Sequence, residues 1–147
     1  MTLRYIFHSG FLIETARCIL VFDYWMDPAD VMSGYMNTCK HVYVFSSHFH
    51  EDHFTKEILR WKNSIPNITY ILSKDILKRR RAQKKDADVW MAKGTVWEDE
   101  NLKVTATGSN DRTSDGHPTE LGGLDGRVHD ADRRTNDESE IAGGRFS

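Results

Sequence analysis

Ser46-Ser47-His48-Phe49-His50-Glu51-Asp52-His53-Phe54 places three histidines and two carboxylates in the six positions 48–53. The preceding Val42-Tyr43-Val44-Phe45 is a short apolar run of strand type, and Thr55 followed by Lys56-Glu57-Ile58-Leu59-Arg60-Trp61 reads as a capped helix start. The cluster therefore falls on a strand-to-helix loop, where a rigid scaffold commonly presents chemistry. In an extended segment His48 and His50 project to the same side, so two imidazoles can converge on one cation. Asp52 and His53 follow where the chain begins to turn and are aimed at a neighbouring position. This is a layout for two cations roughly 3.5–4 Å apart, which polarise a substrate and supply a hydroxide nucleophile near neutral pH. The competing reading is a solvated polar loop, but three His and one Asp in this order rarely coincide by chance.

Working outward, Leu3 to Phe7 reads as a first strand and His8-Ser9-Gly10 as a turn in which Gly10 supplies an unusual dihedral. Phe11 to Glu14 is a second strand. Cys18 to Phe22 is a third, apolar on both faces and hence central. Tyr24 to Lys40 has neither helical nor alternating pattern and reads as a long loop; it can line a substrate groove, while Trp25, Met26, Tyr35 and Met36 also suit local packing. A helix is expected over 55–63, closed by Pro66, and Ile68 to Leu72 is a further buried strand. Strand, helix, strand in that order favours a parallel neighbour for the strand before the histidine loop. His8 and His41 flank strands and read as core or surface residues rather than ligands.

Ser73 caps a second expected helix that carries Lys78-Arg79-Arg80-Arg81-Ala82-Gln83-Lys84-Lys85, six basic residues in eight. Such a run can grip phosphates of a nucleotide or nucleic acid through Lys78, Arg79, Arg80 and Arg81. The preferred reading is a solvated helix face, since no aromatics interleave with the charges. Val89 to Met91, Thr95 to Trp97 and Leu102 to Ala106 read as short strands that extend the sheet as hairpins.

The whole composition, 147 residues with 39% hydrophobic and 29% charged content, permits one globular domain. A formal net charge of -2 gives no global attraction to nucleic acid or an anionic membrane. Cys18 and Cys39 lie far apart, which implies no disulfide framework and makes a cytoplasmic setting the default; Cys18 reads as core and Cys39 as a loop thiol. No signal peptide or membrane span is evident. Oligomeric state is not written in the sequence.

The character changes after Thr107. Positions 1–107 hold 50 hydrophobic residues and positions 108–147 only seven, so the second stretch is expected to be a polar, Gly-rich, disordered tail.

His48-Phe49-His50-Glu51-Asp52-His53 matches the H-x-H-x-D-H signature and resembles the metallo-β-lactamase-fold hydrolases over about Met1 to Gly108. The resemblance implies an α/β architecture, the N-terminal half of an αβ/βα sandwich with a mixed sheet and helices on one face. It implies a metal-dependent hydrolase in which a metal-bound hydroxide attacks an ester, amide or phosphoester of a small-molecule substrate. By the same resemblance His48 and His50 hold one metal and Asp52 and His53 the second, with Asp52 also orienting the nucleophile. Two zinc ions are implied, while manganese or iron also suits His with carboxylate. Asp23, which otherwise reads as an acidic turn residue, would brace the metal loop.

The family's second half supplies further ligands. Here only His117, His129 and several Asp follow, and Asp132 is a candidate bridge in a segment that faintly resembles the family's bridging-Asp strand. The chain is therefore expected to be part of a larger hydrolase, shortened or shifted in frame near Gly108, with reduced metal affinity. The alternatives are a catalytically silent metal-binding or interaction fragment, and nucleic-acid processing through the basic run.

Overall fold

Cys18-Ile19-Leu20-Val21-Phe22 is buried at every position, and a strand with two buried faces has to be covered on both sides. A computed structural model, which describes residues 1–107, 123–128 and 139–141, shows how that cover is built. Strands β1 (Thr2–Phe7), β2 (Gly10–Glu14), β3 (Cys18–Phe22), β4 (His41–Ser46), β5 (Ile68–Ser73) and β6 (Val89–Met91) form one six-stranded sheet in sequence order. The first three make an antiparallel meander, and β3 to β6 run parallel. The register Phe22↔Phe45 and Ser46↔Leu72 brings the C-terminal ends of β3, β4 and β5 side by side.

Alternate side chains then divide between two cores. Ile19, Val21, Val42, Val44, Tyr70 and Leu72 face one core with Phe54, Ile58, Trp61, Ile65 and Ile76. Cys18, Leu20, Phe22, Tyr43, Phe45 and Ile71 face the other, with Leu102, Val104 and Ala106 of a second sheet. That sheet is antiparallel, in the order β10 (Ser139–Ile141), β9 (Gly123–Val128), β8 (Leu102–Thr107), β7 (Val96–Glu98). The Tyr43 hydroxyl ties the two sheets together by donating to Asp99 and accepting from Asn101 Nδ2 at 2.9 Å. This is the expected mixed sheet with its helical turns on one face. Cys18 is buried and Cys39 exposed, both as free thiols.

Three local expectations change. Val89–Met91 is a parallel edge strand beside β5 instead of a hairpin arm, because the connection 74–88 is long enough for a crossover. The helix over 55–63 is 3₁₀ along Lys56–Asn63, capped by Thr55. Its two buried residues, Ile58 and Trp61, are three apart, which superimposes them on one side of a three-residue turn. The basic helix is cut short: α1 spans only Lys74–Lys78, and Arg80 takes a left-handed φ of 58°. Arg79 N–H donates to the Asp75 carbonyl and Arg81 N–H to that of Ile76, which closes the helix as a capped turn.

In the stretch 108–147, positions 123–128 and 139–141 are strands. Its remaining positions, among them His117, His129 and Asp132, lie outside the described residues. No described helix is long and apolar enough to cross a membrane.

Candidate metal centre

Asp23 follows β3 with a left-handed φ of 46°, which turns its side chain out of the strand. Asp tolerates that conformation better than most residues because a short polar side chain can bond locally. Its backbone N–H donates to the Phe45 carbonyl at 2.9 Å and pins the end of β3 to β4. The buried carboxylate then accepts from three donors. Oδ1 takes the Ser47 backbone N–H at 2.7 Å, and Oδ2 takes the Ser47 hydroxyl at 2.8 Å and His53 Nδ1 at 3.1 Å. Asp23 thus braces the histidine loop from below, the role expected of it.

The loop runs from β4 into a tight turn, in which His53 and Phe54 N–H both donate to the His50 carbonyl at 2.9 Å. Phe54 is fully buried and anchors the turn in the core. His48 is buried, and its Nδ1 lies 2.7 Å from the Ser47 hydroxyl. The rings of His48 and His50 are nearly parallel with centroids 6.2 Å apart, whereas His48 and His53 approach to 4.5 Å. Asp52 Oδ2 is 3.6 Å from His53 Nε2. The four predicted residues therefore occupy one loop at the C-terminal edge of the parallel strands, the usual location for a ligand site in an open α/β sheet. Among the described residues, no three or more His, Cys, Asp or Glu side chains converge in a metal-holding arrangement.

The donor set nevertheless fits a divalent cation. Three imidazoles and a carboxylate suit zinc and its neighbours. Two of the rings already have Nδ1 engaged by a carboxylate or by a hydroxyl bonded to that carboxylate, which is how ligating histidines are oriented.

His8, read from the sequence as a core or surface residue, stands at the rim of the loop. It lies in the β1–β2 turn with a φ of 57°, half-exposed, and its Nε2 is 3.4 Å from Asp52 Oδ2. Its ring packs 5.4 Å from Trp25. His8 thus borders the loop at Asp52, carried there by the antiparallel pairing of β1, β2 and β3. The only local signal was Gly10, where an added Cβ would meet the Asp23 carbonyl at 3.0 Å and that of Phe7 at 3.1 Å. This close approach draws the first turn against the end of β3. Trp25 joins His8 at the cluster. Tyr24 faces inward, donating to Glu57 at 2.8 Å; burial, followed by this bond, pushes its phenol well above the usual tyrosine range.

No family model and no curated protein matches the sequence. Solved structures do. A metallo-hydrolase from the hyperthermophilic archaeon Ignicoccus hospitalis superposes with a TM-score of 0.60 at 16% identity, over 89% of this chain and 56% of that one. A metallo-β-lactamase from Cronobacter sakazakii carrying substitutions in its HARLDQ motif gives 0.52 at 17% identity, over 81% and 52%. The native metallo-β-lactamase of Legionella gormanii gives 0.50 at 15%, over 90% and 55%. The chain spans about half the length of these structures. Its architecture is that of the metallo-β-lactamase fold, over the extent of the N-terminal half.

Proposed function

We propose that this chain provides the metal-binding loop of a metal-dependent hydrolase acting on an ester, amide or phosphoester. The observation that carries this reading is the Asp23 carboxylate, buried under the loop and bonded to Ser47 and His53 at once. Burying a carboxylate is costly unless donors compensate it, and here the three donors tie it to the loop and fix the orientation of a ring that could ligate a metal. His48 and His50 would hold one divalent cation, and Asp52 and His53 a second. Zinc is the cation the imidazole-rich set favours, with manganese or iron also suited.

A bound cation supplies Lewis acidity and makes a nucleophile available at neutral pH. The chain's own part is orientation. Ser47 holds the His48 ring through Nδ1, and Asp23 holds His53 in the same way. Asp52, bordered by His8 and His53, would accept a hydrogen bond from the attacking water and orient it. Strands on one side and the buried Phe54 on the other keep the loop from adjusting.

The test is metal content of purified protein against His48→Ala/His50→Ala, together with hydrolysis of generic ester and phosphodiester substrates. The double variant is expected to lose bound metal, and parent turnover to vanish on chelation. Equal metal content in parent and variant would refute the ligand assignment.

A further inference from the structure

We infer that Arg79 is an anion-recognition residue at this same loop, selecting substrates that carry a phosphate beside the bond to be cleaved. The inference rests on the hydrolase reading above and deepens it.

Arg79 Cζ sits 4.7 Å above the ring of Phe49, the residue between His48 and His50. That ring is in turn 4.3 Å from the His50 ring. Two ring contacts thus connect the guanidinium to a proposed metal ligand, and its distance from the His50 ring cannot exceed those two steps combined. Phe49 is itself packed against the main core, so the platform under Arg79 is fixed.

The backbone under Arg79 is equally fixed. It caps α1, with its N–H donating to the Asp75 carbonyl and the following Arg80 N–H donating to that of Leu77 at 3.0 Å. A guanidinium held over a ring face leaves N–H donors available in the planar fork that matches phosphate oxygens. Arg79 is exposed and makes no salt bridge to a described carboxylate. Arg80 and Arg81 follow on the same capped turn and add positive potential. A single guanidinium over one ring suits one phosphate group of a small substrate better than a polyanion, which would call for a row of aromatic platforms.

Binding of inorganic phosphate, with acetate as the carboxylate comparison, is measured by NMR titration on the full chain in the presence of chelator. Removing metal separates this proposal from the hydrolase reading, since phosphate binding at Arg79 needs no cation. Arg79→Gln is expected to weaken phosphate binding about tenfold, the effect of losing one charge-assisted donor group. Phe49→Leu, which keeps apolar volume but removes the ring, is expected to weaken it in the same direction. Arg60→Gln, on the exposed 3₁₀ segment, is expected to leave it unchanged. Phosphate affinity equal to the parent's in a folded Arg79→Gln protein would overturn the proposal. So would acetate binding as tightly as phosphate. Single-stranded oligonucleotide binding that is lost in Arg80→Gln/Arg81→Gln but kept in Arg79→Gln would overturn it in favour of a nucleic-acid surface.

Discussion

Asp23→Asn separates the charge of the buried carboxylate from its shape. Asn keeps the volume and tolerates the left-handed φ of 46°, so the backbone is not strained. The amide oxygen still accepts the Ser47 N–H in place of Oδ1. The amide nitrogen then stands where Oδ2 was, facing the Ser47 hydroxyl and His53 Nδ1. The hydroxyl adapts by rotating to accept, as a hydroxyl can. His53 can adapt only by moving its proton from Nδ1 to Nε2, the nitrogen that a ligand role requires. The expected stability loss is moderate, about 1–3 kcal/mol, since all three bonds keep a partner but lose the carboxylate's charge. The expected loss of zinc affinity is large, about 10- to 100-fold. Asp23→Ala is a harsher change, since it orphans both Ser47 donors and puts Ala at positive φ. It is expected to lose roughly 4 kcal/mol or more, a large part of a domain's 5–15 kcal/mol. Urea unfolding in chelator measures the stability terms, and zinc titration by calorimetry measures the affinity. An Asp23→Asn protein that unfolds and binds zinc like the parent would refute the bracing argument, as would equal stability of the Asn and Ala variants.

Gly10→Ala should destabilise by about 1–3 kcal/mol, because the added Cβ meets two backbone carbonyls, Asp23 and Phe7, that cannot move independently of their strands. Its zinc affinity should fall as well, since Asp23 shifts with its carbonyl; urea unfolding and calorimetry again read both, and an unchanged unfolding midpoint would contradict the close approach. Tyr70 donates to the Ile58 carbonyl, and burial pushes its phenol up to about 12, above the ordinary tyrosine value of about 10. The folded protein thus holds this proton where the unfolded chain releases it. Stability is full below the unfolded value and is lost as pH rises through the folded one. Tyr70→Phe is expected to be less stable than the parent at neutral pH but to show a shallower decline between pH 10 and 12, measured by denaturant titration at each pH; parallel curves for both proteins would refute the assignment.

The fold was largely legible because its signals are local. Alternation and apolar runs marked the strands, and Cys18 to Phe22 could be placed centrally from its uniform apolarity alone. The parallel pairing of β4 and β5 followed from the strand, helix, strand order. What the sequence hid depends on competition between local and tertiary preferences. Lys78 to Lys85 has good helix formers throughout, yet the chain turns at Arg80, where packing Ala82 into the core outweighs extending a helix of like charges. The 3₁₀ form of Lys56–Asn63 was equally hidden, since Ile58 and Trp61 fit either period.

The candidate site divides along the same line. His48, His50, Asp52 and His53 were legible because one loop contains them all. Asp23 was legible only as a role implied by resemblance, and His8 not at all, because both reach the loop through strand register. The Phe22↔Phe45 pairing sets Asp23 beside Ser46 and Ser47, and the Phe7↔Gly10 and Phe11↔Phe22 pairings bring the β1–β2 turn to the same edge. Three chain segments therefore meet at one place for a single topological reason: each sits at the same end of its strand. A residue that enters a site this way carries no spacing signature. It is marked instead by what its backbone tolerates, here the left-handed His8 and Asp23, two non-glycine residues held in an unfavourable conformation at the same sheet edge. Such conformations persist where surrounding contacts over-determine them. At Asp23 three hydrogen bonds do so, and at His8 the Trp25 ring and Asp52 do, which ties these backbone conformations to the loop that the two residues flank.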